Sequence, residues 1–291
     1  MRVRPAALIV TLGGTVEAVD AVRVLTNLSG GGLGREIVAA ALARGLRVHA
    51  LVSVLAAAPP PHRRLTVERF TSARDLGRRL RAQLQPRRAG AVAVAMAAAV
   101  ADYRPARVTR GKLSSTPAAR TLRLVRNPKL IDAIHRWRPD AVLVSFKLAA
   151  ADTADGALLD LAHRQRLRTR SRAVVANRWP SGGVHRAWLV SAEGVQRLVG
   201  RRQIARAVVD VAMSRTGIAG GGRASVRGGG RRWSRARLDR PRSPDVARAV
   251  AAVDVVALAE LAVEVAAPAL VSTAARAECR GGGRGRPGAW P

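Results

Sequence analysis

Apolar residues along this chain come in short runs, each followed by a segment in which they recur at helical spacing. The runs are four to eight residues long, which favours buried strands over helices. They predict five strands of a sheet: ALIV (7–10), RVHALVS (47–53), AVAVAMAA (91–98), AVLVSF (141–146) and RAVVAN (172–177). A later pair, AWLV and VQRLV joined by SAEG, predicts an antiparallel hairpin at an edge of that sheet.

Helices are predicted between these strands from apolar periodicity and from end signals. Gly45 stops the first helix, Ser72 and Asp75 form a capping box, and Asn127 with Pro128 reads as an N-cap followed by a first helical turn. The predicted helices cover residues 35–44, 73 to about 84, 128–137, 155–166 and 202–213.

Alternation of apolar strands with helices predicts an α/β fold with a doubly wound, mostly parallel, Rossmann-like sheet and an antiparallel edge hairpin. Ligands of such sheets bind at the carboxyl ends of the strands. Three segments should therefore meet at one edge: the glycine-rich turns after residues 7–10, DYRP (102–105), and the residues that follow VLVSF.

The character of the sequence changes beyond residue 216. Residues 217–244 are rich in Gly, Arg, Ser and Pro without periodicity, and the segment 245–275 is rich in Ala and Val. We expect one folded α/β domain over residues 1–216 and a C-terminal tail over 217–291, largely disordered with a possible helix at 245–275.

The chain carries 51 basic residues and a formal charge of +32, a balance typical of nucleic-acid or anionic-membrane partners. Aromatic residues make up only 3%, so the stacking surface of a nucleic-acid-binding protein is missing and small anionic ligands are favoured. The single Cys279 allows no internal disulfide, the apolar run 89–101 is too short to span a bilayer, and no secretory signal is visible. We expect a cytoplasmic protein with no membrane partner.

Two glycine-rich turns offer backbone N–H groups to an anion. Gly13, Gly14 and Thr15 follow the first strand, and Ser29 with Gly30 opens SGGGLG before a helix, where the dipole also favours negative charge. These five residues are candidate nucleotide contacts, although glycines needed only for tight turns would give the same pattern. Neither segment fits a phosphate loop or a dinucleotide fingerprint.

Only three of the 51 basic residues are lysines: Lys112, Lys129 and Lys147. An ammonium is a compact charge suited to a phosphate oxygen in a crowded site, so Lys112 stands out, against the alternative of an ordinary surface lysine. Asp102 ends a wholly apolar strand, and it could hold Mg²⁺ or a nucleotide or simply form a turn. Arg23 could pair with a phosphate.

Five segments occur in the order seen in phosphopantothenate–cysteine ligases (phosphopantothenoylcysteine synthetases), and the resemblance covers roughly residues 5–214. They are TLGGTVEAVDAVRVLTNLSGGGLG, AAVADYRPARVTRGKLSST, LRLVRNPKLI, VLVSFKL and VVAN. The KLSS segment looks like that of the monofunctional branch. Bifunctional members carry a preceding flavin-dependent decarboxylase domain, and since nothing precedes Met1 we expect no flavin.

The resemblance implies a two-step amide synthesis that uses ATP or CTP as co-substrate with Mg²⁺. The carboxylate of 4′-phosphopantothenate forms an acyl-nucleotide, and the amino group of cysteine then displaces the nucleotide. It implies catalytic roles for Asn27 and Lys112, substrate contacts for Asn27, and a homodimer, for which the edge hairpin is our candidate interface. Nucleotide contacts are implied for Ala99, Asp102, Val125, Arg126, Asn127, Pro128 and Phe146.

Three positions depart from the family pattern: Gly32 where a lysine is usual, Ala149 where related sequences have an acid, and Arg178 where an aspartate is common. The resemblance also implies nucleotide-binding basic residues on the helix after VLVSFKL, and the candidates are Arg164, Arg166 and Arg168. Two alternatives stay open, a catalytically degenerate nucleotide-binding homologue and a basic nucleic-acid-binding protein.

Overall fold

A computed structural model describes residues 7–85, 92–179 and 185–214 of the chain. Within these residues the twelve strands are β1 Ala7–Leu12, β2 Val16–Ala18, β3 Val24–Thr26, β4 Arg47–Ser53, β5 Leu65–Phe70, β6 Val92–Met96, β7 Tyr103–Pro105, β8 Leu124–Arg126, β9 Val142–Ala150, β10 Ala173–Trp179, β11 Arg186–Ser191 and β12 Val195–Val199. The α-helices are α1 Gly32–Ala43, α2 Ala73–Gln83, α3 Ile134–Trp137, α4 Asp155–Thr169 and α5 Arg201–Met213, and a 3₁₀ turn spans Leu130–Asp132.

Eight strands form one sheet in the order β12-β11-β10-β9-β6-β1-β4-β5. The six from β10 to β5 run parallel, and β11 and β12 form an antiparallel hairpin at the edge. This confirms the predicted α/β, doubly wound, Rossmann-like class and its edge hairpin. Two short antiparallel ribbons, β2–β3 and β7–β8, stand outside the main sheet.

The core lies on both faces of the sheet, because side chains of a strand alternate between faces. On one face Val10, Val144 and Val175 pack against Ile37 of α1 and Val208 of α5. The other face is covered by α2 and α3 beside β4, β6 and β9, and by α4 beside β10 and β11. The described part of the chain has no helix long and apolar enough to cross a membrane.

Differences from the predicted elements follow from exposure and from polar contacts. The edge strand β5 was not predicted, because it reads LTVERF and buries fully only Phe70. The strands of the two ribbons have three residues each, which is too short to give a periodic pattern of apolar residues in the sequence. The predicted N-cap role of Asn127 is wrong, since its side chain donates to the carbonyl of Ala101 and a 3₁₀ turn precedes the short α3. The tail, 217–291, lies outside the described residues.

The Ser72 half of the predicted capping box of α2 is confirmed, since the Asp75 N–H donates to Ser72 Oγ at 3.2 Å, whereas the return bond to Asp75 comes from Thr71 and not from Ser72. The Asp75 carboxylate accepts from the Thr71 N–H at 3.1 Å and from Arg78 and Arg79. Burial alone would raise the pKa of Asp75, but these hydrogen bonds outweigh it, and the pKa lies below its ordinary value.

We expect Asp75→Asn to lower the free energy of unfolding by about 1–2 kcal/mol at neutral pH, because charge-assisted bonds at the helix start are lost. A lowered folded-state pKa gives stability that is present above the unfolded-state pKa and lost as pH falls through the folded-state value. The difference between variant and wild type should therefore shrink on acidification. Urea unfolding at a series of pH values measures it. Asp152→Asn, at an exposed position, is the control, and equal effects of both variants would contradict the prediction.

Candidate active site

The candidate site lies where the chain leaves the carboxyl ends of β1 and β6. Three backbone hydrogen bonds join the segments there: Ala99 N–H donates to the Gly13 carbonyl at 3.0 Å, Thr15 N–H to the Ala99 carbonyl at 3.2 Å, and Gly14 N–H to the Ser29 carbonyl at 3.1 Å. Two predicted turns and the end of the apolar strand thus meet as expected from the parallel sheet.

Close packing explains why this turn is built from glycine. Gly13 has a φ of 86°, which L side chains rarely adopt. A Cβ on Gly14 would lie 2.3 Å from the carbonyl oxygen of Asn27, a backbone atom that cannot move aside easily. Gly30, in contrast, has open space where its Cβ would be. The first turn needs its glycines for close approach, and Gly30 leaves room beside α1.

Asn27 follows β3 and reaches the same turn through its side chain. Its Nδ2 donates to the carbonyl of Ala99 at 3.2 Å, and the neighbouring Thr26 hydroxyl donates to the Thr15 carbonyl at 2.8 Å. The side-chain oxygen of Asn27 makes no hydrogen bond to any described residue and lies at an exposed position. An amide held by its nitrogen leaves its oxygen available as an acceptor for a ligand.

A second group of predicted residues continues from the first along the chain segment 99–102. Thr15 Oγ1 accepts from the Ala101 N–H at 2.9 Å, and Asn127 brackets the same segment by donating from Nδ2 to Ala101 at 3.0 Å and from its N–H to the Asp102 carbonyl at 2.8 Å. The ribbon β7–β8 holds Val125 and Arg126 beside Arg104. The predicted nucleotide contacts Ala99, Asp102 and 125–128 are therefore neighbours.

Asp102 is paired with Lys129, whose Nζ lies 2.6 Å from Oδ1, and both side chains are more than half exposed. Among the described residues no three His, Cys, Asp or Glu side chains gather as a metal site. A single exposed carboxylate suits a magnesium ion that arrives bound to phosphates, because Mg²⁺ commonly takes one or two protein carboxylates plus substrate oxygens.

Phe146 lies at the same edge, one strand further along the sheet. Met96, the last residue of β6, pairs with Ser145 of β9, so Phe146 comes directly after the paired segment. Its ring packs partly buried against the core, and its carbonyl accepts from Gln165 Nε2 at 3.0 Å. This position is compatible with an apolar contact to a nucleotide bound at the edge.

Lys112 and Arg23 lie on a different part of this surface. Arg23 occupies the turn of the hairpin formed by β2 and β3, where its guanidinium pairs with Asp20 at 3.0 Å and donates to the Leu113 carbonyl at 3.3 Å. Lys112 is exposed, and no described residue bonds its side chain. From Arg23 to Asn27 is about 13 Å of extended chain. The hairpin thus leads into Asn27 at one end and bonds Leu113, next to Lys112, at its turn; the joint role of the two predicted catalytic residues stays a prediction.

Several residues that shape the site were not predicted from the sequence. Ser53 donates to the Gly14 carbonyl at 2.6 Å, and Glu17 in β2 accepts from the Ala73 N–H at 2.8 Å and so ties the hairpin to the start of α2. Asp20 is buried in the hairpin turn. The opposite charges of Asp20 and Arg23, three residues apart, were a signal of this turn that the sequence did carry.

A doubly wound α/β sheet defines a class of proteins that bind their ligands at the carboxyl ends of the strands, where the predicted residues of this chain meet. The particular family follows from sequence comparison: residues 3–213 match the family described as the DNA/pantothenate metabolism flavoprotein C-terminal domain. This chain belongs to that family.

Relatives of known name are bifunctional proteins of coenzyme A biosynthesis. The chain is 31% identical over 170 residues to the coenzyme A biosynthesis bifunctional protein CoaBC of Thermococcus kodakarensis, covering 58% of this chain and 40% of that protein. It is 29% identical over 200 residues to the protein of the same name from Mycobacterium tuberculosis, covering 65% and 47%. The chain thus spans less than half the length of these relatives.

Solved structures show the same fold. The DNA/pantothenate metabolism flavoprotein from Streptococcus pneumoniae has a TM-score of 0.63 at 27% identity, covering 71% of this chain and 97% of that one. A Cab2 variant solved with phosphopantothenate-cysteine has a TM-score of 0.60 at 19% identity, covering 71% and 86%. The second likeness concerns the fold alone.

We expect Gly14→Ala to lower the free energy of unfolding by about 1–3 kcal/mol, because the new methyl group would force the Asn27 backbone away from the turn. Gly30→Ala makes the same chemical change in open space and should stay within about 0.5 kcal/mol of wild type. Denaturant unfolding of both variants measures the difference. Equal stability of the two would show that close packing at Gly14 does not constrain the turn.

Proposed function

We propose that this protein is a nucleotide-dependent ligase that joins 4′-phosphopantothenate to L-cysteine and gives phosphopantothenoylcysteine for coenzyme A synthesis. The observation that carries the proposal is the junction of Gly14, Asn27 and Ala99, which assembles amide donors and acceptors at the carboxyl edge of the sheet. Membership of the pantothenate metabolism family and the names of the relatives support the substrate class.

The reaction would proceed in two displacements. A carboxylate oxygen of phosphopantothenate attacks the α-phosphorus of ATP or CTP, and the bond to the bridging oxygen breaks to release pyrophosphate. The amine of cysteine then attacks the acyl carbonyl, the bond to the nucleoside monophosphate breaks, and a proton is lost from nitrogen. Both transition states add negative charge to oxygen, so the site must supply fixed donors and cations.

The residues fit these requirements in position and chemistry. Asn27, anchored through Nδ2, presents its free amide oxygen next to the glycine turn, where it can orient a bound group without adding charge. Lys112 supplies the cation for the α-phosphate, as the family resemblance implies. Asp102 would hold Mg²⁺ through a single carboxylate, and the ion would neutralise phosphate charge when bound. Phe146 offers an apolar surface for the base.

Two departures from the family pattern have physical counterparts in the fold. At Gly32, where a lysine is usual, a Cβ would lie 3.4 Å from Nη1 of Arg201, so a guanidinium from α5 stands beside the start of α1. Arg178 pairs with Asp155 and donates to the Thr153 carbonyl at 2.5 Å, which joins β10 to the start of α4. We infer that the Arg201 guanidinium takes the place of the lysine usual at position 32. We also infer that Arg178 has a structural role, joining β10 to α4.

We expect sustained pyrophosphate release only when nucleotide, phosphopantothenate and cysteine are all present, and near-complete loss of it in Lys112→Ala. A fixed cation on a transferring phosphoryl group contributes a factor of about 10² to 10³. A coupled pyrophosphate assay with ATP and CTP in turn measures the rate and the nucleotide preference. Arg110→Ala, an exposed cation two residues away, is the matched control and should keep the wild-type rate.

A wild-type rate of pyrophosphate release by Lys112→Ala would contradict the proposed mechanism. Tight nucleotide binding without any pyrophosphate release by the wild type would instead favour the catalytically degenerate homologue. Pyrophosphate release that persists after removal of residues 217–291 would support the ligase. It would argue against a nucleic-acid-binding protein that depends on its basic tail.

We further propose a homodimer that forms through β12. This edge strand exposes Val195 and Val199, and an unpaired strand edge can pair with a second copy. We expect Val195→Lys to weaken dimerisation at least about tenfold, because charge on an edge blocks strand pairing. Val67→Lys, on the opposite edge strand β5, is the control. Sedimentation velocity measures both, and a dimer unaffected by Val195→Lys would place the interface elsewhere.

A further inference from the structure

The loop between β7 and β8, residues 106–123, carries Lys112 and has little packing to hold it in place. Every residue of this loop is exposed except Leu113, which is half-buried. A cavity of about 920 Å³ separates part of the loop from the hairpin turn, lined by Val19, Arg23 and Leu113 among others. Apolar burial therefore contributes little to the position of the loop, and polar contacts must determine it.

Four hydrogen bonds join this loop to the β2–β3 hairpin turn. The first two are between backbone groups: Thr109 N–H donates to the Val19 carbonyl at 3.1 Å, and Ala21 N–H to the Gly111 carbonyl at 3.5 Å. The other two involve Leu113, whose N–H donates to Asp20 Oδ2 at 3.0 Å and whose carbonyl accepts from Arg23 at 3.3 Å. Both chain neighbours of Lys112, Gly111 and Leu113, are thus fixed to the turn.

Asp20 is the centre of this junction. Its side chain is fully buried, and Oδ1 accepts from the N–H groups of Val22 at 2.9 Å and Arg23 at 2.7 Å. Oδ2 accepts from the Leu113 N–H and from the Arg23 guanidinium, both at 3.0 Å. The Leu113 hydrogen bond is the main cause of a lowered pKa at Asp20, with further contributions from Val22 and Arg23 that act against burial. The carboxylate therefore stays charged at neutral pH.

We propose that Asp20 is a positioning residue for the ligase reaction: its carboxylate fixes the backbone directly after Lys112, in the turn whose Ala21 N–H holds the Gly111 carbonyl before it, and so directs the ammonium toward the candidate site. This inference rests on the proposed function. Asp20 does not itself touch a substrate; it acts through Leu113 and Arg23. Arg23 is then part of the same device, because its guanidinium bridges the carboxylate and the Leu113 carbonyl.

Asp20→Asn is the first test, since it keeps the size of the side chain. Whichever way the new amide turns, its NH₂ group faces donors that need an acceptor, either the two turn N–H groups or Leu113 and Arg23. We expect kcat to fall at least tenfold while KM for the nucleotide changes less than about threefold, because the nucleotide contacts stay in place. Amide hydrogen exchange, read by mass spectrometry, should rise at least tenfold at Leu113, the one residue of 111–113 whose N–H is hydrogen-bonded to a described residue.

The control is Asp75→Asn, which removes a similarly bonded carboxylate remote from the loop. It should reduce stability without lowering kcat and without faster exchange at 111–113. A kcat loss in Asp75→Asn equal to that in Asp20→Asn would mean that general destabilisation, rather than loop position, explains the effect, and would overturn the proposal.

Leu113→Pro gives a second, independent variant, because proline removes the N–H that Asp20 accepts while leaving Asp20 intact. We expect it to reproduce the kcat loss of Asp20→Asn, and the double variant to be no slower than the worse single variant, since both break one junction. Losses that multiply in the double variant would show that the two residues act separately, and would overturn the proposal.

Two further outcomes decide between this inference and the function on which it rests. A positioning role would be refuted if Asp20→Asn left amide exchange at 111–113 unchanged. It would also be refuted if exchange there became faster while kcat stayed at the wild-type value. Wild-type protein that releases no pyrophosphate would refute the proposed function instead, and hydrogen exchange would still decide whether Asp20 anchors the loop.

Discussion

The backbone pairing of Gly13 and Thr15 with Ala99 is the contact on which the candidate site depends. It extends the parallel order of β1 and β6 beyond the strands themselves, into chain that carries functional groups. Because Asn27 and Asn127 both bond the segment 99–101, the hairpin and the second ribbon take their positions from this pairing. The sheet thus supplies both the core and the frame of reference for the site.

The strands of the sheet were predictable where burial is complete and much less so where it is not. The segment 47–53 was predicted with the bounds that β4 has, since its apolar side chains pack on both faces. The strand β5, in which Thr66, Val67 and Arg69 are exposed, lacks the run of buried apolar residues that marks the other parallel strands. Its existence depends on backbone pairing with β4, which side-chain patterns do not record.

At the candidate site, the sequence predicted which residues next to strand ends lie at one edge of the sheet, but not the contacts of residues whose partners are remote in the chain. Topology alone brings Gly14, Ala99 and Phe146 to one edge. Asn127 was interpreted as a helix cap because its local sequence, Asn before Pro, is typical of one. Its amide instead bonds Ala101, 26 residues earlier, a contact between loops that no local pattern encodes.

The hydrogen bond from the Ala73 N–H to Glu17 anchors the base of the β2–β3 hairpin, while the tip makes a separate set of contacts. Its base is clamped between the start of α2 and the glycine turn, whereas its tip bears on the exposed loop and an adjacent void. The bonds that hold the neighbours of Lys112 at the tip are thus distinct from those that hold the Asn27 amide at the base. A substitution at one end of the hairpin can leave the hydrogen bonds of the other end intact.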